Sequence, residues 1–143
     1  MKKINSNFVS IIKKIEIMDT NDFNKGKLYI NDKCVDVERI EWNEHPAFNG
    51  VFIKHIIKGE NTNNSLSCHL VKINPDCEIG IHSHNGKTEL HEVLSGNGTC
   101  NIEQLKINYK KGVIGLIPAD KDHSVKAEKD GLLLLAKFFP ALL

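Results

Sequence analysis

Residues 80–98, GIHSHNGKTELHEVLSGNG, concentrate side chains that can bind a metal ion. His82 and His84 stand two residues apart, so on an extended chain their imidazoles project from the same face. Glu89 follows Asn85-Gly86, a pair that suits a tight turn between two strands. Two imidazoles and a carboxylate that converge from adjacent strands make a good ligand set for a divalent transition metal.

The fourth candidate ligand is His123, which follows a proline-containing turn in GVIGLIPADKDHSV. It shares its strand face with Val125 and Ala127, two apolar residues, so that face points into the interior. Three imidazoles and one carboxylate on a metal that prefers six ligands leave about two positions for water, O₂ or a chelating substrate.

His91 shares the strand face of Glu89 and is left over once the four ligands are assigned. We interpret it as the candidate catalytic residue for proton transfer. The alternatives are a hydrogen-bond donor to a ligand, an extra ligand, or a histidine that is hydrogen-bonded within the interior.

Other polar residues have less specific patterns. The faces of the strand that contains His55 alternate, which predicts an exposed face with Lys54 and places His55 at the interior or the rim, with the lining of a pocket as the alternative. His45 and His69 belong to no constellation, and we expect them to be structural or surface residues. Cys100 is predicted to be a small core residue, with a thiol near the metal as the alternative.

The surrounding chain consists of short β-branched runs separated by turn residues, among them Gly96-Asn97-Gly98 and Asp130-Gly131. Many short strands with turns between them indicate a sandwich or a barrel. The run GLLLLAKFF at 131–139 is apolar on both faces at first. It therefore predicts a strand covered on both sides, with a partner subunit as one candidate for the cover.

Residues 1–26 form a predicted N-terminal extension. Apolar residues recur there at helical spacing, which favours a short amphipathic helix over the alternative, an edge strand. These residues are Ile4, Phe8, Ile11, Ile12 and Ile15.

The histidine stretch resembles the first motif of the cupin superfamily, G-x5-H-x-H-x3,4-E-x6-G. His82, His84, Glu89 and Gly96 stand at the matching spacing, while Asp76 occupies the position of the leading glycine.

The second cupin motif, G-x5-P-x-G-x2-H-x3-N, is similar to the stretch from Gly112 to Ala127. Gly112, Pro118 and His123 match it, whereas Asp120 replaces the second glycine and Ala127 replaces the asparagine. The ligand position of the motif is therefore filled.

Residues 97–111 separate the two motifs, a spacing similar to that of small single-domain microbial cupins. The resemblance covers about 65–140 of a single predicted domain, 1–143. It implies an all-β fold, a double-stranded β-helix or jelly-roll barrel, and a homodimer. It also implies a divalent metal in the barrel, held by His82, His84, Glu89 and His123.

Composition narrows the classes of partner. The chain has 143 residues, a net charge of +1, and one arginine, Arg39, among its 19 basic residues, so nucleic acid is not an expected partner.

No apolar run is long enough to predict a membrane span. The four cysteines form no C-x-x-C pair, and the N-terminal residues lack the apolar core of a secretory signal. We therefore predict a cytoplasmic protein with reduced thiols.

Two functions fit these observations. The first is a metal-dependent enzyme acting on a small organic substrate, with dioxygenase-type chemistry on iron, or isomerase- or lyase-type chemistry on manganese, zinc, cobalt or nickel. The alternative is a non-catalytic protein that binds or senses a small molecule in the same barrel. The ligand set suits several metals and does not choose among them.

Overall fold

A computed structural model describes residues 23–143, and its regular structure consists almost entirely of β-strands. Short 3₁₀ turns lie at Val37–Arg39 and Gly59–Asn61. The strands are β1 (Lys27–Ile30), β2 (Lys33–Asp36), β3 (Asn43–Glu44), β4 (Val51–Ile57), β5 (Ser67–Ile73), β6 (Glu78–His82), β7 (Thr88–Ile102), β8 (Leu105–Lys110), β9 (Ile114–Ile117) and β10 (His123–Phe139).

The predicted N-terminal helix falls in residues 1–22, outside the described residues, and it stays a prediction. Within residues 23–143, no helix is both long enough and apolar enough to cross a membrane.

All strand pairings are antiparallel, and the main sheet has the order β3-β4-β5-β10-β7-β8, with β6 paired to β10 and β9 paired to β7. The second half of β10 lies between β5 and the first half of β7, whereas its first half lies between β6 and the second half of β7. Strands β7 and β10 thus run through two facing sheets. This jelly-roll arrangement confirms the all-β prediction.

The two shared strands bend at opposed glycines, Gly96 and Gly131. Their φ angles, +83° and +70°, lie in the left-handed region that favours glycine, and the β7–β10 register shifts between Ala127 and Leu132. The predicted turns at 96–98 and 130–131 are therefore wrong as strand boundaries. Each glycine bends one continuous strand because the partner strand stays hydrogen-bonded on both sides of it.

The interior between the sheets is filled by apolar side chains from most strands. Its buried members include Val51, Val71, Ile73, Val93, Cys100, Tyr109, Ile117, Val125, Leu134 and Phe138. Cys100 is fully buried in this cluster, which confirms its prediction as a core residue.

A second apolar cluster lies on the outer face of β10. Leu133 and Leu135 pack there with Leu70, with Val37 of the first 3₁₀ turn and with Leu28 of β1. The same chain therefore supplies the cover of this face, which corrects the suggestion that a partner subunit provides it.

Lys54 also belongs to this covered face, and the prediction that its face is exposed is wrong. Its side chain is buried, and Nζ donates hydrogen bonds to Asn24 Oδ1 at 2.7 Å and to the Val37 carbonyl at 3.0 Å. Nζ also lies 5.0 Å from the centre of the Trp42 ring. Lys54 is buried because the segment before β4 folds over the sheet and satisfies the ammonium group.

Substitution at the bend tests the shared-strand architecture. A Cβ at Gly96 would lie 1.9 Å from the Gly131 carbonyl oxygen, whereas a Cβ at Gly112, whose φ is +89°, meets nothing within 4 Å. We expect Gly96→Ala to lower the free energy of unfolding by about 3 kcal/mol, and Gly112→Ala by about 1 kcal/mol. Urea unfolding of both variants measures this, and equal losses would contradict the close approach of the two bends.

Candidate metal centre

The four predicted ligands lie on or next to three strands, β6, β7 and β10. Strand β10 pairs with both of the others and so brings the ligands together. His82 ends β6, His84 follows it, Glu89 lies near the start of β7, and His123 begins β10. His123 is the register partner of His82, so one backbone pairing sets two of the imidazoles side by side. Alternation on β7 turns Glu89 and His91 to the interior, as the sequence pattern predicts.

One atom from each of these four side chains lies within 4.8 Å of the others. Glu89 Oε2 is 3.0 Å from His123 Nε2 and 3.3 Å from His84 Nε2. The ring centres of His82 and His123 are 4.2 Å apart. Glu89 and His123 are buried, whereas His82 and His84 are partly exposed, so one side of the group is accessible.

Backbone carbonyls determine the tautomer of two of the histidines. His82 Nδ1–H donates to the Gly80 carbonyl at 2.8 Å, and His123 Nδ1–H donates to the Lys121 carbonyl at 2.9 Å. With the proton on Nδ1, the neutral ring carries its lone pair on Nε2. That is the arrangement that orients a histidine for metal binding.

His84 provides the observation that tests whether these residues fit a metal. Among residues 23–143, its Nε2 is the only buried side-chain nitrogen or oxygen without a hydrogen-bond partner. A buried polar atom in a native protein normally has a partner, so this nitrogen fits the role of a metal ligand. The nitrogen-rich donor set suits a divalent transition metal.

Electrostatics also favour an ionised carboxylate at the centre. Burial opposes the charge of Glu89, but the charge of His91 and its hydrogen bond to Glu89 outweigh this and hold the pKa of Glu89 well below its usual range. Burial likewise opposes protonation of His91, yet the charge of Glu89 raises the pKa of His91 to about 9. The site therefore presents a negative oxygen among imidazoles.

His91 lies inside the barrel wall, with both ring nitrogens hydrogen-bonded. Nε2–H donates to Glu89 Oε1 at 2.7 Å, Nδ1 shares a hydrogen bond of 2.9 Å with Tyr109 Oη, and the residue is 3% exposed. Gly115 leaves room for the phenol, because a Cβ there would lie 2.3 Å from Tyr109 Oη. Sequence reasoning did not single out Tyr109 or Gly115, although the alternation of β8 turns Tyr109 inward.

Asp120 stands where the second cupin motif has a glycine, and its backbone adopts a conformation typical of glycine. Its φ is +65°, the left-handed conformation that glycine would provide. Its side chain also accepts a hydrogen bond from Gly86 N at 2.8 Å, and its own N–H donates to the His84 carbonyl at 3.2 Å. The aspartate therefore ties the turn after His84 to the turn before His123.

The remaining predicted histidines separate into two groups. His45 stacks on Phe48 at 4.7 Å between ring centres, and no metal-ligand group within residues 23–143 includes it. His55 is partly buried, as predicted for the interior or the rim. The expectation that His69 joins no constellation is wrong, because it is buried and its Nδ1 is 2.9 Å from His55 Nδ1. The register that pairs His55 with His69 could not be derived from the sequence.

His69 makes stability depend on pH. Burial, and to a lesser extent the neighbouring His55, lowers the pKa of His69 to about 4. In the unfolded chain its pKa is about 6.5, so the unfolded state binds more protons between these values. The contribution of His69 is thus complete above about pH 6.5 and decreases as the pH falls toward 4.

We expect metal-free wild type to lose roughly 2 kcal/mol more of its unfolding free energy between pH 7 and pH 5 than His69→Gln does. Urea unfolding of both proteins at the two pH values provides the measurement. Other histidines titrate in both proteins, so the difference isolates His69. Identical pH dependence would contradict the burial of a neutral imidazole at this position.

No protein-family model matches the sequence, and no curated protein matches it. Solved structures do match. KdgF from a Halomonas species has a TM-score of 0.64 at 18% identity, covering 72% of this chain and 90% of that one. A predicted oxalate decarboxylase from Thermotoga maritima has a TM-score of 0.64 at 22% identity, covering 72% and 95%. An RmlC-like cupin from Shewanella frigidimarina has a TM-score of 0.63 at 20% identity, covering 73% and 87%. Together with the strand topology, these likenesses show that the chain has the cupin fold.

Proposed function

We propose that the protein is a metal-dependent enzyme acting on a small organic substrate, with a divalent transition metal bound by His82, His84, Glu89 and His123. The observation that supports this most directly is the buried, unpartnered Nε2 of His84 beside the Glu89 carboxylate. The backbone-bonded tautomers of His82 and His123 support it as well, because they leave two further lone pairs at the same place.

When bound, such a metal supplies Lewis acidity toward a substrate oxygen, or a site for O₂ if the metal is iron. The residues of this chain provide the charge and the apolar surroundings of the site. Glu89 contributes the negative charge, and the apolar wall that includes Phe138 limits water on one side, since this ring lies 4.9 Å from that of His84. Charge interactions are stronger in such a partly dry environment than in bulk water.

Structures with the same fold include a predicted oxalate decarboxylase, DMSP lyases and an ectoine synthase. These names support enzyme chemistry on small organic molecules, and the lyases among them are consistent with lyase-type chemistry. A homodimer and a cytoplasmic location stay predictions from the sequence.

For His91 we propose a positioning role on Glu89 rather than direct proton transfer to a substrate. Both ring nitrogens are engaged, one with Glu89 and one with Tyr109, and the ring is buried. A proton-transfer residue has to come within hydrogen-bond reach of the substrate, whereas a buried donor can orient the carboxylate of a ligand.

Metal content tests the ligand assignment. We expect the double variant His82→Ala/His123→Ala to lose stoichiometric metal, because two of four donors are removed. Elemental analysis after purification and reconstitution measures this for zinc, manganese, iron, cobalt and nickel. His45→Ala is the matched control, since it removes a histidine that stands outside the group. Full metal retention by the double variant would overturn the assignment.

Turnover distinguishes the enzyme from a non-catalytic binder. We expect the reconstituted protein to convert at least one member of a panel of oxo acids, hydroxy acids and dicarboxylates, and the double variant to be inactive on it. Chromatography identifies the products, and oxygen consumption shows whether the reaction uses O₂. Thermal stabilisation by a panel member without turnover in any metal form would instead support the alternative function, a small-molecule binder or sensor.

A further inference from the structure

A second polar group lies in the barrel, away from the four candidate ligands, and consists of His55, Ser67 and His69. His55 belongs to β4, the other two belong to β5, and His55 is the register partner of His69. Ser67 and His69 are buried, whereas His55 is only partly buried. The group has a connected set of hydrogen bonds that determines where its protons are.

The chain of hydrogen bonds begins at the backbone. Leu142 N–H donates to Ser67 Oγ at 2.8 Å, and Ser67 Oγ is 2.9 Å from His69 Nε2. If His69 Nε2 carried a proton, the serine oxygen would accept twice and its own buried proton would have no acceptor among residues 23–143. Leaving a buried donor unsatisfied costs about 1–3 kcal/mol, so the hydroxyl donates to His69 Nε2.

This assignment determines which ring nitrogen carries the proton in both His69 and His55. A neutral His69 that accepts at Nε2 carries its proton on Nδ1, and it donates that proton across 2.9 Å to His55 Nδ1. His55 therefore accepts at Nδ1 and carries its own proton on Nε2. That Nε2–H has no hydrogen-bond partner within residues 23–143, and the ring is partly exposed.

Register places His55, His69, Ala136 and His91 in one row across β4, β5, β10 and β7, so the histidine pair faces the same interior as the candidate metal centre. The His69 ring makes a T-shaped contact with Phe138 at 5.7 Å between centres, and Phe138 makes a T-shaped contact with His84 at 4.9 Å. A single aromatic ring therefore separates the two polar groups. For His55 to meet a small molecule bound at the metal centre, that molecule has to extend past this ring.

We propose that His55 Nε2–H is a fixed hydrogen-bond donor to an oxygen acceptor of the small molecule held at the metal centre. This inference rests on the proposed function and adds a substrate class to it: molecules with one metal-binding carboxylate and a second carboxylate or carbonyl oxygen. Ligands whose far end is an ammonium or guanidinium group are disfavoured, because two donors would meet. Ser67 is a positioning residue that acts through His69.

The tautomers can be read without any ligand. Long-range ¹⁵N–¹H correlation spectra of the uniformly labelled, zinc-loaded protein at neutral pH should show the proton of His69 on Nδ1 and that of His55 on Nε2. Ser67→Ala should convert His69 to a mixture of tautomers. A His55 proton on Nδ1 in wild type would overturn the inference, whatever the metal content.

Ligand binding tests the donor itself. Titration of the zinc-loaded protein with oxalate, malonate, succinate and glutarate should shift the His55 Nε2 resonance for at least one of them, and 1,4-diaminobutane should shift none. His55→Phe should weaken that binding roughly tenfold or more, the loss expected for one hydrogen bond to a charged acceptor. The matched variant His55→Gln keeps an N–H donor and should retain most of the affinity.

The outcomes separate this inference from the proposed function. If the wild type retains zinc but no dicarboxylate shifts His55, or if His55→Phe binds as tightly as wild type, the donor role is wrong and the metal centre stands. If the wild type binds none of zinc, manganese, iron, cobalt and nickel stoichiometrically, the proposed function fails, and the tautomer spectra still decide the proton placement.

Discussion

A carboxylate buried inside a protein has to be compensated, and the compensation of Glu89 organises the interior of this barrel. Glu89 is 5% exposed, and its oxygens meet His91 on one side and His84 and His123 on the other. Meeting all three requires β6, β7 and β10 to lie in one register. The strand pairing that makes the jelly roll is therefore the same pairing that assembles the charged centre.

The polar interior is built as two hydrogen-bonded chains that begin at buried anchors. One connects Tyr109 through His91 to Glu89, and the other connects the backbone of Leu142 through Ser67 to the histidine pair. Satisfied networks of this kind are rigid, because moving one member leaves another without a partner. The first chain thereby fixes the orientation of Glu89, and the second fixes that of the histidine pair.

Local spacing was sufficient to predict the four candidate ligands, because the stretch from His82 to Glu89 is short and His123 follows a recognisable turn. Alternation also placed His91 and Cys100 on the inner face. Contacts between distant strands could not be predicted from the sequence. The pairing of His55 with His69 and the contact of His91 with Tyr109 both depend on strand register. Register is not encoded in alternation alone.

Two errors have a common physical origin. Gly96 and Gly131 have the positive φ of turn residues, and only the presence of a partner strand makes each a bend within a strand. In the same way, Lys54 is buried because a remote segment supplies its acceptors. Both cases show a local signal whose meaning is decided by tertiary contacts.

The sharing of β7 and β10 by both sheets has a consequence for how the barrel opens. Each sheet contains one half of β7 and one half of β10. Neither sheet can therefore come apart while the other remains intact, because both depend on the same two strands. Partial opening is therefore confined to the edge strands and to the covering hairpin that β1 and β2 form with each other. The central amides on both sides of the bend belong to one cooperative unit, and they should exchange with solvent at a common, slow rate.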